Sequence, residues 1–226
     1  MKYPTLEKAM DEILDIGQRM YVKGFVAAND GNITCKLSND TILATPTGIS
    51  KGFLTKEMLV IIDLDGNILE GTYKTTSEIK MHLRVFKENE NIVGVVHAHP
   101  PLATAFSIAG IPLDSPLVSE AILIIGTILI APYAKPGTYE LPNSIAPYVR
   151  TYNGVMLANH GALTWGVDLT QAWYRMEVVE QTALITKYVR ELTKSPNSLS
   201  QDQVEGLLEI RKRMGISTGG IPRFDQ

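Results

Sequence analysis

The sequence predicts an α/β layered domain built on a central, mostly antiparallel sheet flanked by helices. Three observations carry this expectation. An amphipathic helical pattern opens the chain, short β-branched segments broken by turn residues follow, and mixed strand and helix units fill the rest. With 226 residues, 45% of them hydrophobic, the chain can bury a full core, and one domain spanning 1–226 is expected.

Leu6, Met10, Ile13, Leu14 and Met20 recur at helical spacing after Pro4 and Thr5, which predicts a first helix ending near Gly24. From Asn32 to Asp63 the segments NITCKL, TILATP and MLVIID alternate with Gly, Asn, Asp and Pro, as antiparallel strands joined by loops do, and DLDGNI fits a hairpin turn. In TTSEIKMHLRVFKEN a Thr or Ser stands at the N-cap position, and Ile79, Leu83 and Phe86 share one face, so a second helix is expected from close to Ser77. NIVGVVHAH is the next strand. Pro100 and Pro101 stop it and pre-set the first turn of a helix running to Gly110, where no amide donor is needed. TILIAP and GVMLAN predict two further strands. Asp168 is placed to cap a long helix, LTQAWYRMEVVEQTALITKYVREL, whose apolar positions imply packing on a sheet. After the linker TKSPNS, Ser200 and Gln203 stand in capping-box spacing and open a last helix that runs to Gly215. The tail, 216–226, is rich in Gly and Pro and is expected to be mobile or docked on a neighbouring subunit.

Composition narrows the classes of function. The 21 basic and 24 acidic residues are interspersed, with no basic block to follow a phosphodiester backbone, so nucleic acid is not expected as a partner. The longest apolar run, AILIIGTILIAP, is interrupted by Gly126 and falls short of the roughly 20 residues that a bilayer requires, so no membrane association is expected. MKYPTLEKAMDE lacks the apolar centre of a signal peptide, and the lone Cys35 can form no internal disulfide, which together predict a cytoplasmic location.

Two of the four histidines lie in VVHAHPP. Side chains two apart on a strand share a face, so His97 and His99 can converge on one ion; the alternative is a polar pair at a solvated strand end. In MLANHGALTWG, His160 closes another apolar strand. Three neutral imidazoles at strand ends make a divalent-metal shell with one position left open, the arrangement that catalytic zinc uses. His82, four residues after Glu78 on the second predicted helix, completes no metal motif and is assigned a packing or hydrogen-bonding role. TPTG and TTSE place hydroxyls and a glycine at a loop and a helix start, which suits a phosphate dianion and equally suits ordinary turn and capping chemistry.

Taken in order, NDGNIT, TPTGISKG, TTSEIKMH, VVHAHPP and LANHGAL resemble the successive motifs of the class II (zinc-dependent) sugar-phosphate aldolases of the L-fuculose-phosphate type, in register over roughly residues 8 to 215. The resemblance implies the three-layer class II aldolase/adducin-head fold. It implies one Zn2+ per subunit, with Mn2+ or another divalent ion as alternatives, held by His97, His99 and His160. Glu78 falls on the family's acid/base glutamate, and its pKa is expected to be raised by an apolar site. Asn32, Thr47, Gly48, Thr76 and Ser77 fall on the phosphate-binding positions, with Thr76 where serine is usual and Asn29 lining the same loop. The implied reaction is reversible cleavage of a ketose 1-phosphate to dihydroxyacetone phosphate and an aldehyde through a metal-stabilised enediolate. Pentulose-5-phosphate 4-epimerases, sugar-phosphate dehydratases and the non-catalytic adducin head share the superfamily. Glu78 favours an aldolase, since the epimerases carry aspartate at that position. The implied assembly is a homotetramer with sites at subunit interfaces.

The sequence departs from the family in one respect. PLDSPLVSEAILIIG has no tyrosine, and Met214 stands where a family tyrosine aligns. Glu120 is then the candidate to handle the C4 hydroxyl proton, a salt-bridge partner being the other reading of that residue. A less polar pocket of this kind suits a deoxy-sugar phosphate, such as a deoxypentulose 1-phosphate, or a methylthio-substituted one.

Overall fold

The computed structural model describes residues 2–224. Thr5 accepts a hydrogen bond from Lys8 N and starts the first helix, α1, Leu6–Val22, which buries Ala9, Ile13, Ile16 and Met20. Strands β1 (Asn32–Lys36), β2 (Thr41–Ala44), β3 (Val60–Asp63) and β4 (Ile68–Glu70) follow as an antiparallel meander. Helix α2 (Ile79–Glu88) leads into β5 (Gly94–Ala98), and Pro101 occupies the first position of α3 (Pro101–Ile108). Next come α4 (Ser119–Ile124), β6 (Ile130–Ala131), α5 (Glu140–Val149), β7 (Gly154–Leu157) and β8 (Gly161–Gly166). Asp168 accepts from Gln171 N to cap α6 (Leu169–Leu192), and a reciprocal Ser200–Gln203 capping box opens α7 (Gln201–Arg213). No helix among the described residues is long and apolar enough to cross a membrane.

The eight strands form one sheet in the order β4-β3-β2-β1-β5-β8-β7-β6, in which only the β6–β7 pair is parallel. Alternating side chains divide the core into two layers. Ile33, Cys35, Val96, Ala98 and Ala162 pack with α1, α3 and α6, while Ile42, Val60, Val95, Val155 and Leu163 pack with α2 and α5. Each such side chain withdrawn fully from water contributes about 1.5–3 kcal/mol. The parity matters for the site. Asn32, Thr34, His97 and His99 share the parity of Val95, so they face the α2 side.

Two local expectations need correction. The N-cap of α2 is not a Thr or Ser but Glu78, whose carboxylate makes no capping bond because it is drawn elsewhere, while Thr76 Oγ1 accepts from Glu78 N at 3.3 Å just before the helix. The run expected to carry a strand through TILIAP keeps only Ile130–Ala131 as strand, and SEAILI before it is a six-residue helix. The tail lies on its own chain. Gly219 N donates to Thr151 O, Thr127 N donates to Gly219 O, and Arg211 reaches Gly220 O, fixing the chain up to Arg223, whose amide donates to Asp114 O. Gly126, at φ +84, makes this approach possible, because a Cβ there would stand 1.8 Å from Gly219 O. The final part of the expected mobile or docked segment, residues 225–226, lies outside the described residues.

A candidate metal centre at one end of the sheet

Antiparallel register delivers the three histidines to one edge. Asn32 pairs with His97, Ala98 pairs with Ala162, and Leu157 pairs with Gly161, so the start of β1, the end of β5 and the β7–β8 turn meet. His99 follows β5 directly and is anchored by its amide to Phe25 O at 2.9 Å. His160 sits in the tight β7–β8 turn, which Asn159 makes by adopting φ 58, a left-handed conformation that asparagine tolerates better than most residues.

The three rings form a nearly equilateral triangle, with centroids 5.0, 4.8 and 5.0 Å apart. One ligand nitrogen from each lies within 4.8 Å of the other two. His97 Nδ1 donates to Ala162 O at 2.9 Å, and His99 Nδ1 stands 3.3 Å from Asp30 Oδ2. When the rings are neutral, a proton held on Nδ1 by each of these partners leaves Nε2 as a lone pair for a cation. Those two Nε2 atoms are 3.1 Å apart, a separation at which facing lone pairs repel unless a proton or cation lies between them. The donor set therefore fits a divalent ion of the kind that imidazoles favour. His160 has no such support, as its Nδ1 is buried without a hydrogen-bond partner.

Glu78 closes the group. Its Oε2 is 3.2 Å from His97 Nε2 and its Oε1 is 3.1 Å from His160 Nε2, the latter poorly aligned for a hydrogen bond. Asn32 Nδ2 donates to Oε2 at 3.0 Å. The sequence leads one to expect a raised pKa here, and burial does push that way. The charge of His97 and the proximity of His160, His97 and Asn32 outweigh it, and the carboxyl is held well below the usual carboxylate range. Burial likewise disfavours charge on His97, but Glu78 overcomes it and raises that pKa, whereas burial and the two neighbouring rings push His99 down to about 4. His82, fully buried, is pushed down to about 3 by desolvation and is neutral.

The expected phosphate loops come together beside this group. A β-bridge joins Pro46 to Thr75, and Thr47 N donates to Lys74 O at 2.9 Å, which sets Thr47 and Gly48 alongside Thr76 and Ser77. Thr47, Gly48, Ser77 and Asn29 are exposed and open to an anion, while Thr76 is buried and its Oγ1 accepts from Asn32 Nδ2 at 3.2 Å. Asn32 departs from expectation. Its side chain is buried, and both amide protons are engaged by Thr76 and Glu78, so that amide is not free to hold a phosphate. Glu120 is exposed on the first turn of α4, a helix packed on α6 and α7, and no hydrogen bond or ion pair joins it to the histidine group. Met214, at the end of α7, is 55% exposed.

Two contributors are not among the site residues that the sequence predicts. Asp30 supports His99, as described. Lys51 is buried with its Nζ donating to Asn29 O at 3.0 Å and Ile49 O at 2.6 Å, which ties the 29–31 loop to the TPTG loop; burial pushes its pKa down to about 8. A lysine inside a Gly- and Thr-rich loop was the available signal.

Gly161 is required by close approach. A Cβ at that position would lie 2.4 Å from Ala98 O and 2.6 Å from His99 Cδ2. Gly161→Ala is therefore expected to displace the His99 ring, destabilising the fold by about 1–3 kcal/mol and weakening metal affinity by roughly 10-fold. Denaturant unfolding and metal titration measure the two effects, and unchanged affinity would show that His99 is not held by this contact.

Comparison with known proteins places this geometry. Residues 11–186 match the model of the family described as Class II Aldolase and Adducin N-terminal domain. An L-fuculose phosphate aldolase of Methanococcus maripaludis is 36% identical over 186 residues, covering 81% of this chain and 98% of that protein. A 3-oxo-tetronate 4-phosphate decarboxylase of Haemophilus influenzae is 31% identical, covering 76% of this chain and 83% of its own. A 5-deoxy-D-ribulose 1-phosphate aldolase of Bacillus thuringiensis serovar kurstaki is 31% identical over 204 residues, 89% and 94% of the respective chains. Among solved structures, an L-fuculose 1-phosphate aldolase superposes with a TM-score of 0.83 at 27% identity, covering 93% of this chain and 99% of that one.

Proposed function

The chain belongs to the class II aldolase and adducin N-terminal domain family, and from that premise we propose that it is a metal-dependent lyase. It cleaves a ketose 1-phosphate reversibly to dihydroxyacetone phosphate and an aldehyde, with a deoxypentulose 1-phosphate preferred over L-fuculose 1-phosphate. The observation that carries this reading is the convergence of three imidazoles and the Glu78 carboxylate on one point, beside a hydroxyl-lined loop. The preference for a deoxy substrate is supported by Met214, which replaces a phenol with a thioether, and by the relative that acts on 5-deoxy-D-ribulose 1-phosphate.

A divalent ion held by His97, His99 and His160, zinc in this reading, supplies when bound a Lewis acid for the oxyanion that builds up as the C3–C4 bond parts. The chain does the rest. Thr47, Gly48, Thr76 and Ser77 fix the phosphate end through hydroxyls and backbone amides. In condensation the ionised Glu78 takes a proton from C3 of the triose half; in cleavage it first gains a proton, balanced by the one that the C4 hydroxyl gives up, and passes it to C3. Asn32 holds the Glu78 carboxylate toward the histidines while it does so. The C4 hydroxyl proton needs a separate acceptor. Glu120 is not with the site within one chain, so this role falls to water or to a group from a neighbouring copy in a cytoplasmic homotetramer with sites between subunits. The single domain spanning 1–226 is part of the same reading.

A second reading, supported by the Haemophilus influenzae relative, is decarboxylation of a 3-oxo-tetronate 4-phosphate. That reaction also breaks a bond next to a carbonyl and leaves a carbon that Glu78 could protonate. Screening ketose 1-phosphates for triose-phosphate release, with carbon dioxide release and pentulose-phosphate epimers followed in parallel, separates lyase, decarboxylase and epimerase. The lyase reading fails if no ketose 1-phosphate yields triose phosphate. Chelation is expected to abolish turnover, and zinc or manganese to restore it; activity that survives complete metal removal, measured by elemental analysis, would count against the histidine centre.

A further inference from the structure

We infer that His82 is a positioning residue for Glu78, acting through Asn32. The inference rests on the reading of Glu78 as the proton-transfer group. Two spacings bring the four residues together: Glu78 and His82 are four apart at the start of α2, and Asn32 and Thr34 are two apart on the β1 face that α2 covers. His82 is fully buried and engages both ring nitrogens, Nδ1 with Thr34 Oγ1 at 2.8 Å and Nε2 with Asn32 Oδ1.

The direction of every proton in this chain follows from its carboxylate end. Glu78 Oε2 can only accept, so the atom of Asn32 facing it at 3.0 Å must be the amide nitrogen. Thr76 Oγ1, at 3.2 Å, takes the second proton of the same nitrogen. Asn32 Oδ1 must then point at His82, which has to present Nε2–H to it. The proton on Nε2 leaves Nδ1 as an acceptor, and Thr34 supplies its hydroxyl hydrogen. The result is a one-way relay of donors, Thr34 to His82 to Asn32 to Glu78, with one permitted tautomer. An apolar side chain of similar size would fill the same space. A donor at the place of His82 Nε2 holds Asn32 Oδ1 on that side and keeps the amide from turning over and setting Oδ1 against the carboxylate. The relay thereby fixes where Glu78 stands relative to His97 and His160, and a displacement of the carboxylate affects proton transfer more than substrate binding.

The test compares wild type with H82L and H82Q and adds a measurement that does not depend on turnover. H82L is expected to bind one divalent ion per chain as wild type does, to keep KM within about threefold, and to lose about 10–100-fold in kcat, as loss of supporting hydrogen bonds around a site commonly does. H82Q, whose amide can donate to Asn32, is expected to recover most of that loss. In metal-free protein labelled with 15N-histidine, the His82 ring should be neutral, protonated on Nε2 and bare at Nδ1. The inference is overturned if H82L keeps kcat within about twofold, if H82Q is as slow as H82L, or if the ring carries its proton on Nδ1. Where H82L does not fold, T34V serves in its place, expected to lower kcat in the same direction by a smaller factor. A wild-type enzyme inactive on every ketose 1-phosphate sinks the functional reading instead, and the tautomer then decides the positioning claim alone.

Discussion

Glu78→Gln is expected to lower kcat for ketose 1-phosphate cleavage by roughly 10²–10⁴-fold, with KM and metal content close to wild type. Glutamine has the size of glutamate and can still accept from Asn32 Nδ2 through its carbonyl oxygen, so the hydrogen bond at 3.0 Å survives the change. What disappears is the capacity to exchange a proton with carbon. The other carboxylate oxygen, Oε1, makes no well-aligned hydrogen bond, so little packing or bonding is lost with it. The competing account of Glu78, a carboxylate stationed at a helix N-terminus for its interaction with the macrodipole, predicts a stability loss of about 0.3–1 kcal/mol and no effect on turnover. The observed side chain already argues against that account, because Glu78 occupies the N-cap of α2 without making any capping bond and turns instead to His97 and His160. Steady-state kinetics beside metal analysis and denaturant unfolding decide the matter; full turnover in the Gln variant would remove Glu78 from the chemistry.

The parts of this protein that were legible in its sequence are those specified locally. Asp168 and the Ser200–Gln203 pair each declare a helix start within four residues and cap as expected, and Thr5 caps α1 in the same way. His97 and His99 could be assigned to one face because the strand period is two. The unread parts depend on partners far apart in the chain. Asn32 and His82 are 50 positions apart, and Lys51 reaches a carbonyl 22 positions away, so no window of sequence contains both halves of either interaction. GALTWG carries no strand alternation in its sequence because it is buried on both faces and bounded by glycines. Glu120 is legible only as an acid within an apolar run, which places it on the exposed side of α4.

His97→Ala and His160→Ala are each expected to weaken metal affinity by more than about 100-fold, beyond the loss typical of supporting residues, and to remove turnover with it. Their effects on the fold should differ. His97 is completely buried and donates to Ala162 O at 2.9 Å, a bond made across the β5–β8 pairing. Alanine there leaves a void in the sheet face and a buried carbonyl short of a donor, which costs about 1–3 kcal/mol. His160 lies in a turn, its side chain is 15% exposed, and its Nδ1 bonds to nothing, so its truncation removes no internal hydrogen bond. Both variants should therefore lose the ion, measured by competition with a chromophoric chelator, while only His97→Ala should show a lowered denaturant midpoint in metal-free protein. This contrast separates a ligand from a structural residue. A His160→Ala protein that binds divalent ions as tightly as wild type would mean that the ring triangle does not form the centre, and the assignment of His97 and His99 would fall with it.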